Sequence, residues 1–209
     1  LDYRFWFLKD LRANLNIGYD RSNSDGSVIV PPNASFAFVD GGRNQTYTQE
    51  KKNKLLEFYL NYTKDFGSTN LDVMGGYSWQ HFYFFDENQA TNTAGTKVLD
   101  AYNADPREYY LLSLFGRLNY TLYDRVLLTA TVRRDGTSRF SKDNRWGLFP
   151  SVALGWKVIK DRDGALNSLK LRVSYGETGQ QDIGTDLYPY LARYQSSFDN
   201  AQYPFGTTY

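Results

Sequence analysis

The chain has 209 residues, 24 Lys and Arg against 23 Asp and Glu, and a formal net charge of +1. So even a balance leaves no electrostatic case for nucleic-acid binding, and the absence of cysteine excludes a disulfide framework or a thiolate metal site. The length suits one ordinary domain, and 18 Tyr with 14 Phe make it unusually aromatic.

Taken in chain order, the segments alternate with a period of two, the mark of strands. A short strand is predicted over 3–8. In 11–20 one face reads Leu11, Ala13, Leu15, Ile17, Tyr19 and the other Arg12, Asn14, Asn16, Gly18, Asp20. In 55–63 Leu56, Phe58, Leu60 and Tyr62 share a face against Glu57, Tyr59 and Asn61. The pattern recurs over 71–83, 110–122, 125–135, 146–158 and 169–175. The expected architecture is all-β: an antiparallel meander of about eight long strands, with no helix.

The predicted connections alternate in length. Those at 9–10, 64–70, 123–124 and 160–167 are short. Those at 21–50, 85–107 and 137–144 are long or polar, and a tail follows Gly179. In a meander this puts every short turn on one edge, an asymmetry typical of outer-membrane barrels.

A soluble antiparallel sandwich also alternates apolar-in with polar-out. Mean hydropathy is negative, and no run approaches the roughly 18 apolar residues of a membrane helix. Neither fact bears on a barrel, whose strands average to a polar score. Two features favour the barrel. Tyr110 and Tyr120, and likewise Trp146 and Trp156, lie ten residues apart on one apolar face. Ten strand residues rise roughly 33 Å, or about 24 Å along the normal when tilted, which matches the spacing of the two aromatic girdles. Several predicted strands are also longer than the five or six residues usual in soluble sheets. The other face, with Arg12, Glu57, Asp72, Arg117, Arg133, Asp135, Lys157, Lys170 and Arg172, is then expected to line a lumen.

Chemical motifs are sparse. His81 is the sole histidine, sits among aromatics and reads as a girdle or surface residue. Asp161–Gly164 lacks the spaced acids of a calcium loop and reads as a turn. No phosphate-cradling glycine pattern appears. No catalytic residue, metal site or cofactor is expected. Aromatics in the predicted loops are candidates for solute contact: Tyr83, Phe84 and Phe85 at the entry to one long loop, and Tyr188, Tyr190 and Tyr194 in the tail.

The segment "LLTATVRRDGTSRFSKDNRWGLFPSVALGWKV", followed by "LNSLKLRVSYGETGQQDIG", resembles the SusC/RagA family of TonB-dependent outer-membrane transporters. Upstream, "SLFGRLNYTLYDRVLLTA" fits the same pattern. The specific match covers about 114–184, and a looser one most of the chain. Its signature residues here are Arg133, Asp135, Gly136, Arg139, Phe140, Arg145, Phe149 and Pro150. The resemblance implies that 1–209 is a partial barrel domain, a mid-barrel segment of a larger wall without plug or signal segment. It implies uptake of glycans or oligopeptides across the bacterial outer membrane, contact with the lipid bilayer, coupling to the TonB complex through the plug region, and a SusD-type surface lipoprotein as lid. A complete eight-stranded outer-membrane barrel and a soluble carbohydrate-binding sandwich remain as alternatives. Within the signature, Asp135-Gly136 is expected to open a turn, and Arg134, Arg139 and Arg145 to lie near headgroup level. Trp146 would mark the outer girdle, Trp156 the inner one, and Pro150 a bulge or unpaired position.

Overall fold

A computed structural model describes residues 1–159, 167–182 and 187–192. They form one eight-stranded antiparallel sheet in sequential order: β1 (Asp2–Arg4), β2 (Leu11–Val30), β3 (Arg43–Asp65), β4 (Asn70–Thr91), β5 (Val98–Leu122), β6 (Val126–Thr137), β7 (Trp146–Ile159) and β8 (Leu169–Gly176). The meander and its strand count match the expectation.

The strands are longer than the alternation implied. The predicted loops at 21–50 and 85–107 are mostly ladder: Arg21 pairs with Lys52 and Val30 with Arg43, and Phe85 pairs with Pro106. True connections shrink to 31–42 and 92–97. Backbone pairing does not need a hydrophobic face, so the ribbons continue where the alternation fades. The first strand is shorter than expected, spanning only Asp2–Arg4.

The short edge has one tight turn with a specific cost. Tyr123 and Asp124 both have positive φ, at 51° and 53°, and Arg125 N–H donates to the Leu122 carbonyl at 3.0 Å. Two consecutive left-handed residues give the turn a twist that matches the flanking strands, and the ladder resumes at Leu122↔Val126. A Tyr tolerates that region poorly, whereas Asn is accommodated there. Tyr123→Asn is expected to stabilise the folded protein by about 0.5 kcal/mol, read as a higher urea midpoint in detergent.

Register assigns the faces. Ile17 pairs with Leu56, Leu56 with Trp79, Trp79 with Leu112 and Leu112 with Gly136. Lower down, Leu128 pairs with Leu154 and Leu154 with Val173. Every apolar set therefore falls on the same side of the sheet, and it stays bare: Ile17, Phe58, Leu114, Leu148, Trp156 and Val173 are all exposed. The only buried hydrophobic residues among those described are Ala37 and Ala90. A soluble sandwich would bury this face under a second sheet; among the described residues no second layer covers it. Nor do β1 and β8 pair with each other among the described residues, so the sheet is an open slice of wall rather than a closed small barrel.

Candidate functional site

Tyr110, Tyr120, Trp146 and Trp156 all lie on the apolar face. Tyr110 lies opposite His81, Tyr120 between Leu71 and Leu128, Trp146 opposite Gly136, and Trp156 between Val126 and Leu171. The Trp146 ring occupies the space over Gly136, where an added Cβ would come within 2.8 Å of it, and the Arg134 guanidinium lies 5.1 Å from its centre. Near Tyr110 a small aromatic group forms that sequence reasoning missed. The His81 ring stacks on Tyr110 at 4.3 Å, and its Nε2 lies 2.9 Å from Glu108 Oε2. The signal was present in the His81↔Tyr110 register, which pattern alone does not supply.

The opposite face is polar and internally bonded. Glu57 accepts from Asn16 at 3.3 Å and from Ser78 at 3.4 Å. Asp72 accepts from Thr63 at 3.0 Å and Asn119 at 3.2 Å, with Arg117 at 3.9 Å. Arg133 Nε donates to both Asp135 oxygens, at 2.7 and 2.9 Å, and its Nη2 to Ser113 Oγ at 3.0 Å. Arg172 lies opposite Gly155 on the same side. Glu57, Arg117, Arg133, Asp135 and Arg172 thus share one face, as their alternation required.

The hairpin between β6 and β7 departs from expectation. Asp135 and Gly136 do not open a turn; they pair with Gly147 and Trp146, and the chain reverses only beyond Thr137. Gly136 is needed to seat the Trp146 ring, not for a positive φ. Arg139 and Arg145 turn to the polar side of the sheet. Arg139 is buried on the polar side, where its guanidinium meets Asp182 at 3.1 Å and lies 5.6 Å from the centre of the Tyr109 ring. Arg145 lines a polar-side cavity; only Arg134 stays on the apolar face. Nor is there a bulge at Pro150: it pairs with Val132 in unbroken register, and the β7–β8 ladder stops at Ser151↔Gly176, so its missing N–H disrupts nothing. The Phe149 ring is pinned between two glycines, since a Cβ at Gly147 or Gly179 would come within 2.5 or 2.3 Å of it. This closure leaves a cavity of about 200 Å³ whose walls include Ser113, Arg133, Asp135, Phe140, Arg145, Phe149 and Gln181.

Three of the predicted loop aromatics are not loop residues. Tyr83, Phe84 and Phe85 lie within β4. Tyr83 and Phe85 fall on the apolar-face parity, Tyr83 beneath the Lys52 ammonium at 5.0 Å. Phe84 falls on the polar side, 6.3 Å from Tyr109, which itself stacks on Phe82 at 4.7 Å. Tyr188 donates to the Glu108 carbonyl and meets Tyr190 edge-on at 6.3 Å. Tyr194, and the predicted turn at 161–164, lie outside the described residues.

Beyond the girdle, Glu50 bridges Lys52 at 2.5 Å and Arg21 at 2.6 Å. Hydrogen bonds from Lys52 and then Arg21 hold its carboxyl below the ordinary range, against the opposing effect of desolvation. A depressed carboxyl contributes stability above its unfolded pKa and loses it as pH falls through the folded one. Acidification is therefore expected to lower amide protection factors in 20–30 and 43–52 before those of the other strands, read by hydrogen–deuterium exchange at stepped pH after correction for the intrinsic exchange rate at each pH.

The family model described as "TonB dependent receptor-like, beta-barrel" matches residues 1–208. The chain is 44% identical, over its whole length, to the TonB-dependent receptor SusC of Bacteroides thetaiotaomicron, of which it covers 22%. It is 31% identical to TonB-dependent receptor P3 of Formosa agariphila, over 92% of this chain and 20% of that one. It therefore spans about a fifth of the length of these relatives. Among solved structures, the RagAB peptide importer in the "closed-closed" state superposes with a TM-score of 0.74 at 22% identity, over 93% of this chain and 23% of that one. The RagAB peptide transporter gives 0.73 at 23% identity, over 87% of this chain and 22% of that one.

Proposed function

This chain belongs to the TonB-dependent receptor β-barrel family, and on that premise we propose that it forms part of the wall of an outer-membrane importer of glycans or oligopeptides. The observation that carries the reading is a single-layer sheet with one bare apolar face, bounded by aromatic side chains, and one hydrogen-bonded polar face. Backbone groups in lipid must all be paired, and a barrel wall does this while presenting apolar side chains outward. Glu57, Arg117, Arg133, Asp135 and Arg172 then line the interior. Energy would come from the TonB complex acting through a plug, and a SusD-type lipoprotein would close the outer mouth. The wall itself performs no chemistry; it shapes the passage and bounds the solute.

Cysteine labelling tests the reading. In cells expressing the full-length protein, a water-borne maleimide is expected to reach Arg117→Cys and to spare Leu118→Cys, the next residue on the lipid side. Equal labelling of both would refute the assignment of faces.

Of the solute-contact candidates, Phe84 is best placed, because it alone of the β4 trio shares the interior side with Tyr109. Stacking interactions of this kind are worth about 0.5–1.5 kcal/mol. Phe84→Ala is thus expected to weaken solute binding roughly three- to tenfold, while Tyr83→Ala leaves it unchanged, as read by titration calorimetry.

A further inference from the structure

Arginines of the signature segment crowd the polar side of the β6–β7 hairpin. Two of them have acidic partners. Arg133 grips Asp135 through Nε and reaches Ser113. Arg139 pairs with Asp182 and covers Tyr109. Arg145 is different. It lines the cavity behind Phe149, its Nε is buried, and that atom has no hydrogen-bond partner. Among the described residues its guanidinium pairs with no carboxylate. Asp143, two residues before it, is exposed.

A buried charged donor left unbonded is costly, more so than a neutral one. A guanidinium offers a planar fork of N–H groups that a carboxylate matches with two parallel bonds. The cavity sets the charge of what can enter. Asp135 already stands in its wall and its charge is spent on Arg133, so one unmatched cation remains, enough for a monoanion and too little for a phosphate dianion. Phe149 and Phe140 supply apolar wall for the methylene stem of such a group, and about 200 Å³ admits a side chain. Phe149 cannot swing to fill the space itself, because its ring is held between Gly147 and Gly179.

We propose that this cavity is a carboxylate-binding site, with Arg145 as its anion-binding group. The carboxylate belongs to an acidic side chain, either of the same polypeptide outside the 209 residues or of a solute in the passage. The inference rests on the reading of the polar face as the barrel interior.

The test uses the full-length protein in detergent. End-blocked Ala-Glu-Ala and Ala-Gln-Ala are titrated against wild type, Arg145→Gln and Arg145→Lys. In parallel, carbodiimide labelling with mass spectrometry reports which acids are shielded without solute. If the solute carries the carboxylate, wild type prefers the Glu peptide by about tenfold or more, Arg145→Gln abolishes the preference, and Arg145→Lys keeps part of it. If the polypeptide carries it, the peptides bind alike, and one acidic residue outside 1–209 becomes labelled in Arg145→Gln while remaining shielded in Arg145→Lys. No peptide preference together with an unchanged labelling map overturns the site. Failure of the interior reading shows separately, as equal maleimide labelling of Arg117→Cys and Leu118→Cys.

Discussion

Val152→Arg is expected to prevent stable assembly in the outer membrane, whereas Ala153→Arg, one residue away, is tolerated. Val152 stands midway between Trp146 and Trp156 on the bare face, 45% exposed and paired with Ala130 and Tyr175. If this face is the lipid side, as proposed, a cation at that depth faces hydrocarbon from which water is absent, a cost of about 2–4 kcal/mol at the bilayer midplane. Native proteins hold only about 5–15 kcal/mol in reserve, so the substitution consumes a large share. Ala153 points the other way, between Thr129 and Ser174, and borders a polar-side cavity of about 380 Å³. An Arg there keeps its guanidinium in water. The measurement is the amount of heat-modifiable, protease-resistant barrel in purified outer membranes. Equal yields for both variants would contradict the lipid assignment, because the two substitutions add the same group and differ only in face.

That one-residue contrast is also why so much of the fold could be read from the sequence. A sheet with one apolar and one polar face forces a period of two, so Leu128, Ala130 and Val132 against Thr129, Thr131 and Arg133 declare both the strand and its faces. The same logic explains what was missed. Past Tyr19 and Lys54 the alternation fades through 22–30 and 43–50, and segments that read as loop are paired residue for residue. Nothing local in "SNSDGSVIV" marks it as strand; its partner 43–51 does, and pairing is not visible in a linear pattern. The cavity was illegible for a related reason. Ser113, Arg145 and Gln181 meet only because β5, β6 and β7 lie side by side and the segment after β8 folds back over Phe149. Gly136 misled for a subtler reason: Asp-Gly usually marks a turn, but here the glycine serves a ring on the neighbouring strand.

The Gly75-Gly76 pair in β4 makes the same point with a measurable consequence. Adjacent glycines inside a strand pattern read as a weak spot, since each lacks a side chain to pack and is conformationally free when unfolded. The structure separates the two. A Cβ at Gly75 would meet only the Phe115 carbonyl, at 3.9 Å, an ordinary contact. A Cβ at Gly76 would come within 2.5 Å of Tyr59 Cβ, 2.7 Å of the Phe58 carbonyl and 2.8 Å of the Phe115 ring. The first two of these are fixed by β3 itself, so the strand pair would have to part. Gly76→Ala is expected to destabilise the protein by about 1–3 kcal/mol, the usual range for overpacking, while Gly75→Ala is expected to stabilise it by about 0.5 kcal/mol. Urea midpoints of the two variants in detergent decide the matter. A Phe115→Ala background adds a stricter check. Because the closest contacts are with backbone and Cβ, removing the ring should recover little of the Gly76→Ala loss, leaving the two effects nearly additive. Full recovery would mean that the ring alone demands a glycine there, and that β3 and β4 pack less closely at this point than the structure has them.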